Sequence, residues 1–111
     1  GLIDLEALTT IPHPPDFLML PKVEQVAELE TAALTLGQRS TTLIAQIETP
    51  RGLLDARDLA AATPKLHALM LGGHDLAVAL RARPGRACFQ YPRAQLALIA
   101  AERELGFIDM P

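Results

Sequence analysis

Short apolar runs alternate with amphipathic stretches along this chain, and the alternation predicts a repeated strand–helix order. Over residues 24–36, Val26, Leu29, Ala33 and Leu36 recur at spacings of three and four, which places them on one helical face, and Gly37 follows as a C-cap. Three runs read as strands. Asp16-Phe17-Leu18-Met19-Leu20-Pro21 is continuously apolar between turn formers and predicts a strand buried on both faces. Thr41-Thr42-Leu43-Ile44-Ala45-Gln46-Ile47 is rich in β-branched residues and is bounded by Pro50 and Gly52. Leu66-His67-Ala68-Leu69-Met70-Leu71 is the third, ended by Gly72-Gly73, and a fourth begins at Phe107-Ile108-Asp109. Between them, residues 53–62 are Ala- and Leu-rich and stop before Pro64, as a helix does. Residues 75–81 predict a short helix and 83–86 a loop. Pro92 then opens, at its first turn, a helix with Ala94, Leu98, Ala101 and Leu105 on one face and Gly106 closing it. Upstream, Leu2, Leu5 and Leu8 predict a short amphipathic helix over 2–9, and Pro12, Pro14 and Pro15 demand a loop.

Strands alternating with helices imply right-handed crossovers and a parallel sheet, so the expected class is α/β. A closed (β/α)8 barrel needs about 250 residues, and this chain has 111. Four βα units are half of such a barrel, and residues 1–111 are expected to form a single fragment of a partial TIM barrel. The chain starts at Gly1 and ends at Pro111 directly after an apolar run, which adds to the expectation of a piece cut from something larger. Half of the residues are hydrophobic but only 4% are aromatic, so the core must be built from Leu, Ala, Ile and Val, as in layered α/β proteins. A flavodoxin-like domain is the other α/β reading; the absence of a helix after the last run weakens it.

Two acids stand out against this frame. Glu48, in Ile47-Glu48-Thr49-Pro50-Arg51-Gly52, and Asp75, in Leu71-Gly72-Gly73-His74-Asp75-Leu76, each follow a predicted strand and precede a predicted helix. Loops at the carboxyl ends of parallel strands build the active sites of such folds. Neighbouring strands lie roughly 4.8 Å apart, so both carboxylates can reach one hard cation. The plainer reading makes Glu48 a loop acid and Asp75 a helix N-cap. Gly72-Gly73 allows close backbone approach to a ligand, with the N–H groups of Gly73, His74 and Asp75 available to a substrate carboxylate, or else a tight turn that needs positive φ. Arg51 could meet a substrate carboxylate or a CoA phosphate. His13 and His67 offer no ligand spacing, and Cys88 has no nucleophile's partners nearby.

Charge and cysteine content narrow the classes. A net charge of −3, a pI near 5.5 and scattered arginines give no footprint for nucleic acid. A single cysteine excludes an internal disulfide framework and suits a reducing compartment. Neither a long apolar stretch nor a basic-then-apolar leader is present, so a cytoplasmic protein without membrane contact is expected.

Four segments, Leu20-Pro21-Lys22-Val23-Glu24, Ile47-Glu48-Thr49-Pro50-Arg51-Gly52-Leu53, Leu71-Gly72-Gly73-His74-Asp75-Leu76-Ala77 and Ile108-Asp109-Met110-Pro111, together resemble the HpcH/HpaI aldolase and citrate lyase beta-subunit family in order and spacing. The resemblance implies a (β/α)8 barrel of the phosphoenolpyruvate-binding type that uses Mg²⁺ to cleave or form carbon–carbon bonds next to a carboxylate. It puts the metal ligands at Glu48 and Asp75 and implies a 2-oxo acid, a hydroxy acid or a hydroxyacyl-CoA as substrate. Because the family is metal-dependent, Lys22 is expected to hold a supporting or structural ion pair rather than a Schiff base. Lys22 and Glu24 end the first strand and could face the pocket, His74 beside a ligand reads either as a pH-sensitive support or as an exposed loop histidine, and Asp109 at a strand end is a candidate for a supporting role. The family's substrate arginine and last strand have no counterpart in the chain, and the general base is not identifiable. A catalytically incomplete fragment acting as an interaction or regulatory subunit is therefore the rival reading. Open strand edges would also make the chain a homo-oligomer.

Overall fold

The computed structural model describes residues 16–79 and 86–110, so the helix expected over 2–9, the proline loop and residues 80–85 lie outside it. Four strands, β1 (Phe17–Leu20), β2 (Thr42–Ile47), β3 (Leu66–Gly72) and β4 (Gly106–Met110), pair in parallel in the order of the sequence. Each crossover therefore steps to the next strand in one direction, and the connecting helices collect on one face of the sheet. There α3 (Ala56–Ala60) touches both α1 (Val26–Leu36) and α5 (Arg86–Glu102). This is the singly wound order of part of a TIM barrel; a flavodoxin-like sheet reverses direction at a switch point and is excluded.

Strand alternation divides the side chains between two faces. On β2, Leu43, Ala45 and Ile47 are fully buried, while Thr42, Ile44 and Gln46 are half-buried. The first set joins Leu69 and Leu71 of β3 and Leu29, Ala32, Leu36, Leu59 and Leu96 of the helices in the main core. Register puts Met19, Ile44, Ala68 and Gly106 in one row on the opposite face, with Gln46, Met70 and Ile108 in the next. Such rows fill the interior of a closed barrel. An irregularity between Leu43 and Ile44 shifts the β2–β3 pairing by one residue and keeps this alternation aligned.

Several sequence expectations are corrected. β1 is not buried on both faces: Phe17 and Met19 are 49% and 45% exposed, because helices cover only one side of the sheet. The helix expected over 24–36 starts at Val26, after an N-cap at Gln25, with the Glu28 carboxylate accepting the N–H groups of Glu24 and Gln25 at 3.1 and 3.0 Å. Residues 53–62 do not form one helix. Thr49 caps a helix with Pro50 at its first position, giving α2 (Pro50–Leu54), and Asp55 at φ −97°, ψ 10° separates it from α3. The helix expected over 75–81 begins earlier, as α4 (Gly73–Ala79).

The largest correction concerns α5. Its first turn is at Arg86 and Pro92 lies inside it, where the missing N–H removes one helical hydrogen bond. Its buried residues among those described are Pro92, Leu96, Ile99 and Ala100, whereas Leu98 of the expected face is 72% exposed and Ala94 and Ala101 are exposed too. The run Leu96-Ala97-Leu98-Ile99-Ala100-Ala101 is apolar on all sides, so periodicity admits two faces and packing on β3 and β4 selects one. Gly106 does not cap this helix. Glu104 takes the left-handed conformation at φ 56°, and Leu105 N–H bonds the Ala100 carbonyl at 2.8 Å. No helix among the described residues is long and apolar enough to cross a membrane.

Leu96→Ala is expected to lower stability by about 2–5 kcal/mol, and Leu98→Ala to change it by no more than ~0.5 kcal/mol. Urea denaturation of the two variants measures the difference, and equal effects would return the buried face to the one expected from the sequence.

Candidate functional site

Ile47, the last residue of β2, faces the helices, so the next side chain turns to the opposite face. That side chain is Glu48, which is only 5% exposed. Its Oε2 accepts the main-chain N–H of Lys22 at 2.9 Å. Lys22 makes this bond from a left-handed conformation at φ 50°, which costs a residue with a Cβ about 1–2 kcal/mol. Across the strand boundary lies Gly72, the last residue of β3; a Cβ there would stand 2.4 Å from Glu48 Cγ and 2.9 Å from Oε1. Asp75, exposed in the first turn of α4, lies near enough to the Glu48 side chain to act on its ionisation. The two acids thus meet at the carboxyl ends of adjacent parallel strands.

Burial raises the Glu48 carboxyl above its ordinary value of 4.5, and the neighbouring Asp75 carboxyl pushes the same way. The Lys22 N–H opposes both, since it favours the charged carboxylate. Neighbouring contacts hold the frame around this group. Val23 N–H bonds the Gln46 carbonyl at 3.1 Å, and the Thr49 hydroxyl donates to Glu24 Oε2 at 2.8 Å while accepting Gly52 N–H at 3.1 Å. A Cβ at Gly52 would lie 2.5 Å from the Val23 carbonyl, so the loop after β1 packs directly on the backbone after β2.

The other expected site residues are distributed more widely. Gly73 is buried as the first residue of α4, directly after Gly72 ends β3. His74 follows it, but its side chain lies outside the described atoms, as does that of Cys88 on α5. Arg51 is exposed on α2. Lys22 meets Glu48 through its amide, and Glu24 accepts a hydrogen bond from the Thr49 hydroxyl. Asp109 is engaged by Arg93 Nε of α5 and pairs in register with helix-facing Leu71, away from the two acids. Exposed His67 stacks at 4.9 Å on Phe17. Sequence reasoning missed Lys22 N–H and the steric role of Gly72; neither has a linear signal. The Thr49 cap was readable from Thr-Pro at a helix start.

Among the described residues no group of three His, Cys, Asp or Glu side chains converges on one point. A pair of hard carboxylates fits Mg²⁺, which takes one or two protein carboxylates and keeps several waters; zinc would call for nitrogen or sulfur donors. A concavity of about 720 Å³ lies elsewhere, between α2, α3 and α5, with Leu54, Arg57, Asp58 and Glu102 in its walls.

The fold is an α/β sheet of the kind that forms part of a TIM barrel, with two acids after adjacent strands. The HpcH/HpaI aldolase/citrate lyase family model matches residues 4–110, and the chain belongs to that family. It is 34% identical to a (3S)-malyl-CoA thioesterase of Cereibacter sphaeroides over 98% of its own length and 37% of the relative's. RipC of Yersinia pestis superposes with a TM-score of 0.93 and 36% identity, over all of this chain and 52% of that one. The citrate lyase beta subunit of Mycobacterium tuberculosis, solved with oxaloacetate and magnesium, superposes with a TM-score of 0.76 and 29% identity, over 97% and 48%. The chain therefore spans about half or less of the proteins it matches.

A raised carboxyl pKa has a defined sign in stability. The folded state holds the Glu48 proton more tightly than the unfolded chain, so in metal-free protein its contribution is full below the unfolded value near 4.5 and is lost as pH rises through the higher folded value. Glu48→Gln should remove that decline. Urea midpoints of the two proteins, both without metal, should diverge in favour of the variant as pH is raised from about 4.5 to about 7.5. Parallel curves would show that Glu48 titrates like an exposed acid.

Proposed function

We propose that this chain supplies the metal-binding part of a Mg²⁺-dependent carbon–carbon lyase or aldolase acting on a hydroxy acid or its CoA thioester. The observation that carries the proposal is the Glu48–Asp75 pair, one acid buried and one exposed, side by side after the ends of β2 and β3. Glu48 and Asp75 would hold Mg²⁺. Lys22 N–H occupies Oε2 of Glu48 and leaves the remaining lone pairs of the carboxylate for the cation. Bound Mg²⁺ would act as a Lewis acid on the oxygens of a 2-oxo acid or thioester carbonyl. The N–H groups of Gly73 and His74 at the start of α4, and the Arg51 guanidinium, are the chain's candidates for anionic groups of the substrate.

Cleavage of a 3-hydroxyacyl thioester breaks the bond between the hydroxyl-bearing carbon and the carbon next to the thioester. The hydroxyl loses its proton and becomes a carbonyl, and the electron pair passes into the thioester enolate, which is then protonated. A second reading, hydrolysis of the thioester itself, is favoured by the 34% identity to the malyl-CoA thioesterase. It uses the same substrate class but releases free CoA and leaves the carbon skeleton whole. An interaction or regulatory subunit is the third reading, supported by the edges that β1 and β4 present among the described residues, with Phe17 and Met19 exposed beside one of them. Association with a second copy or with further strands belongs to this proposal.

Mass-spectrometric product analysis with malyl-CoA and Mg²⁺ separates the three: a 2-oxo acid with acetyl-CoA, a hydroxy diacid with free CoA, or no turnover. Under either enzymatic reading, Glu48→Gln and Asp75→Asn should each lower Mg²⁺-dependent turnover by roughly 100-fold or more. Wild-type turnover in Asp75→Asn would remove the metal assignment.

A further inference from the structure

Gly72 stands where strand β3 ends beside Glu48, and nothing about its backbone calls for glycine. Among the described residues the one glycine at positive φ is Gly37. What excludes a side chain at 72 is the carboxylate itself: a Cβ there would lie 2.4 Å from Glu48 Cγ, 2.9 Å from Oε1 and 3.1 Å from Cδ. All three of the nearest atoms belong to Glu48. At Gly106, by comparison, the nearest atom to an added Cβ is Ala68 Cβ at 3.3 Å, a contact that a small shift relieves.

Glu48 cannot swing away from such a methyl without loss. Its Oε2 is tied to Lys22 N–H at 2.9 Å, the side chain is 5% exposed, and the Lys22 amide sits in a left-handed turn that fixes its direction. A methyl at 72 would have to break that hydrogen bond or turn the carboxylate relative to Asp75.

We propose that Gly72 is a positioning residue for the Glu48 carboxylate: the side chain absent at 72 is the space into which Glu48 folds, so that Lys22 N–H and Asp75 are both reached at once. In this role Gly72 acts through Glu48, whose atoms are the nearest to a Cβ placed there. The inference rests on the reading of Glu48 and Asp75 as metal ligands.

Mn²⁺ binding to the full chain, read by electron paramagnetic resonance without any substrate, tests it. Gly72→Ala should weaken Mn²⁺ binding by about 10- to 100-fold, the range for residues that orient a ligand, and Glu48→Gln should abolish it. Thermal stability supplies a readout independent of metal: Gly72→Ala should lower the melting temperature in the wild-type background but not in Glu48→Ala, where the methyl meets no Cγ. If Gly72→Ala alone does not fold, recovery of folding in the double variant gives the same support, and failure of the double variant overturns the inference. Unchanged Mn²⁺ affinity in Gly72→Ala beside lost affinity in Glu48→Gln overturns the positioning role alone. Unchanged affinity in both variants overturns the metal reading and the inference with it.

Discussion

Burial of one carboxylate, Glu48, is the constraint on which the strand-end architecture depends. Taking a carboxylate out of water is expensive unless hydrogen bonds replace the lost hydration. Here the replacement comes from the Lys22 N–H at 2.9 Å, while Asp75 beside the group adds to the cost of its charge. The burial imposes conditions on its surroundings. Lys22 must adopt φ 50°, the Val23 carbonyl must lie against Gly52, and β3 must end in a residue without a Cβ. Left-handed lysine and close-approach glycine are thus consequences of one buried group, and the Glu24–Thr49 hydrogen bond holds the loops that supply them.

The sheet order makes this burial useful. Because β1, β2, β3 and β4 are adjacent in sequence order and parallel, every carboxyl-end loop falls on the same rim, and acids from consecutive units become neighbours without any long connection. The core of Leu29, Leu36, Leu43, Ile47, Leu69, Leu71 and Leu96 lies between sheet and helices, while Glu48 turns to the other face. Phe17 and Met19 belong to that second face, the one that meets an opposite barrel wall in a closed (β/α)8 fold.

Membership of the HpcH/HpaI aldolase/citrate lyase family leaves a chemical choice that this portion of a barrel does not make. Carbon–carbon cleavage and thioester hydrolysis of one substrate both gain from a cation on a carbonyl oxygen. They differ in which bond is broken, which depends on the placement of a proton acceptor or a water relative to the substrate. The relatives matched extend well beyond this chain, which covers 37% of the thioesterase and 48% of the citrate lyase beta subunit.

The strand–helix order, the four strands, the capping glycine at 37 and the pairing of Glu48 with Asp75 were all legible in the linear sequence, because each depends on local periodicity or on a fixed position after a strand. The resemblance carried by the same four segments named the family. Tertiary structure alone decided the rest. Which face of α5 is buried depended on contact with β3 and β4, since Leu96 and Leu98 are equally apolar and only packing distinguishes them. The exposure of β1 followed from helices lying on one side of the sheet, which a continuous apolar run cannot reveal. Asp109 went to Arg93 rather than toward the acids because its register beside Leu71 points it at the helices. The roles of Lys22 N–H and Gly72 were invisible for a deeper reason: a main-chain amide and a missing side chain have no chemistry to read in a sequence, and they acquire it only when folding brings Glu48 against them.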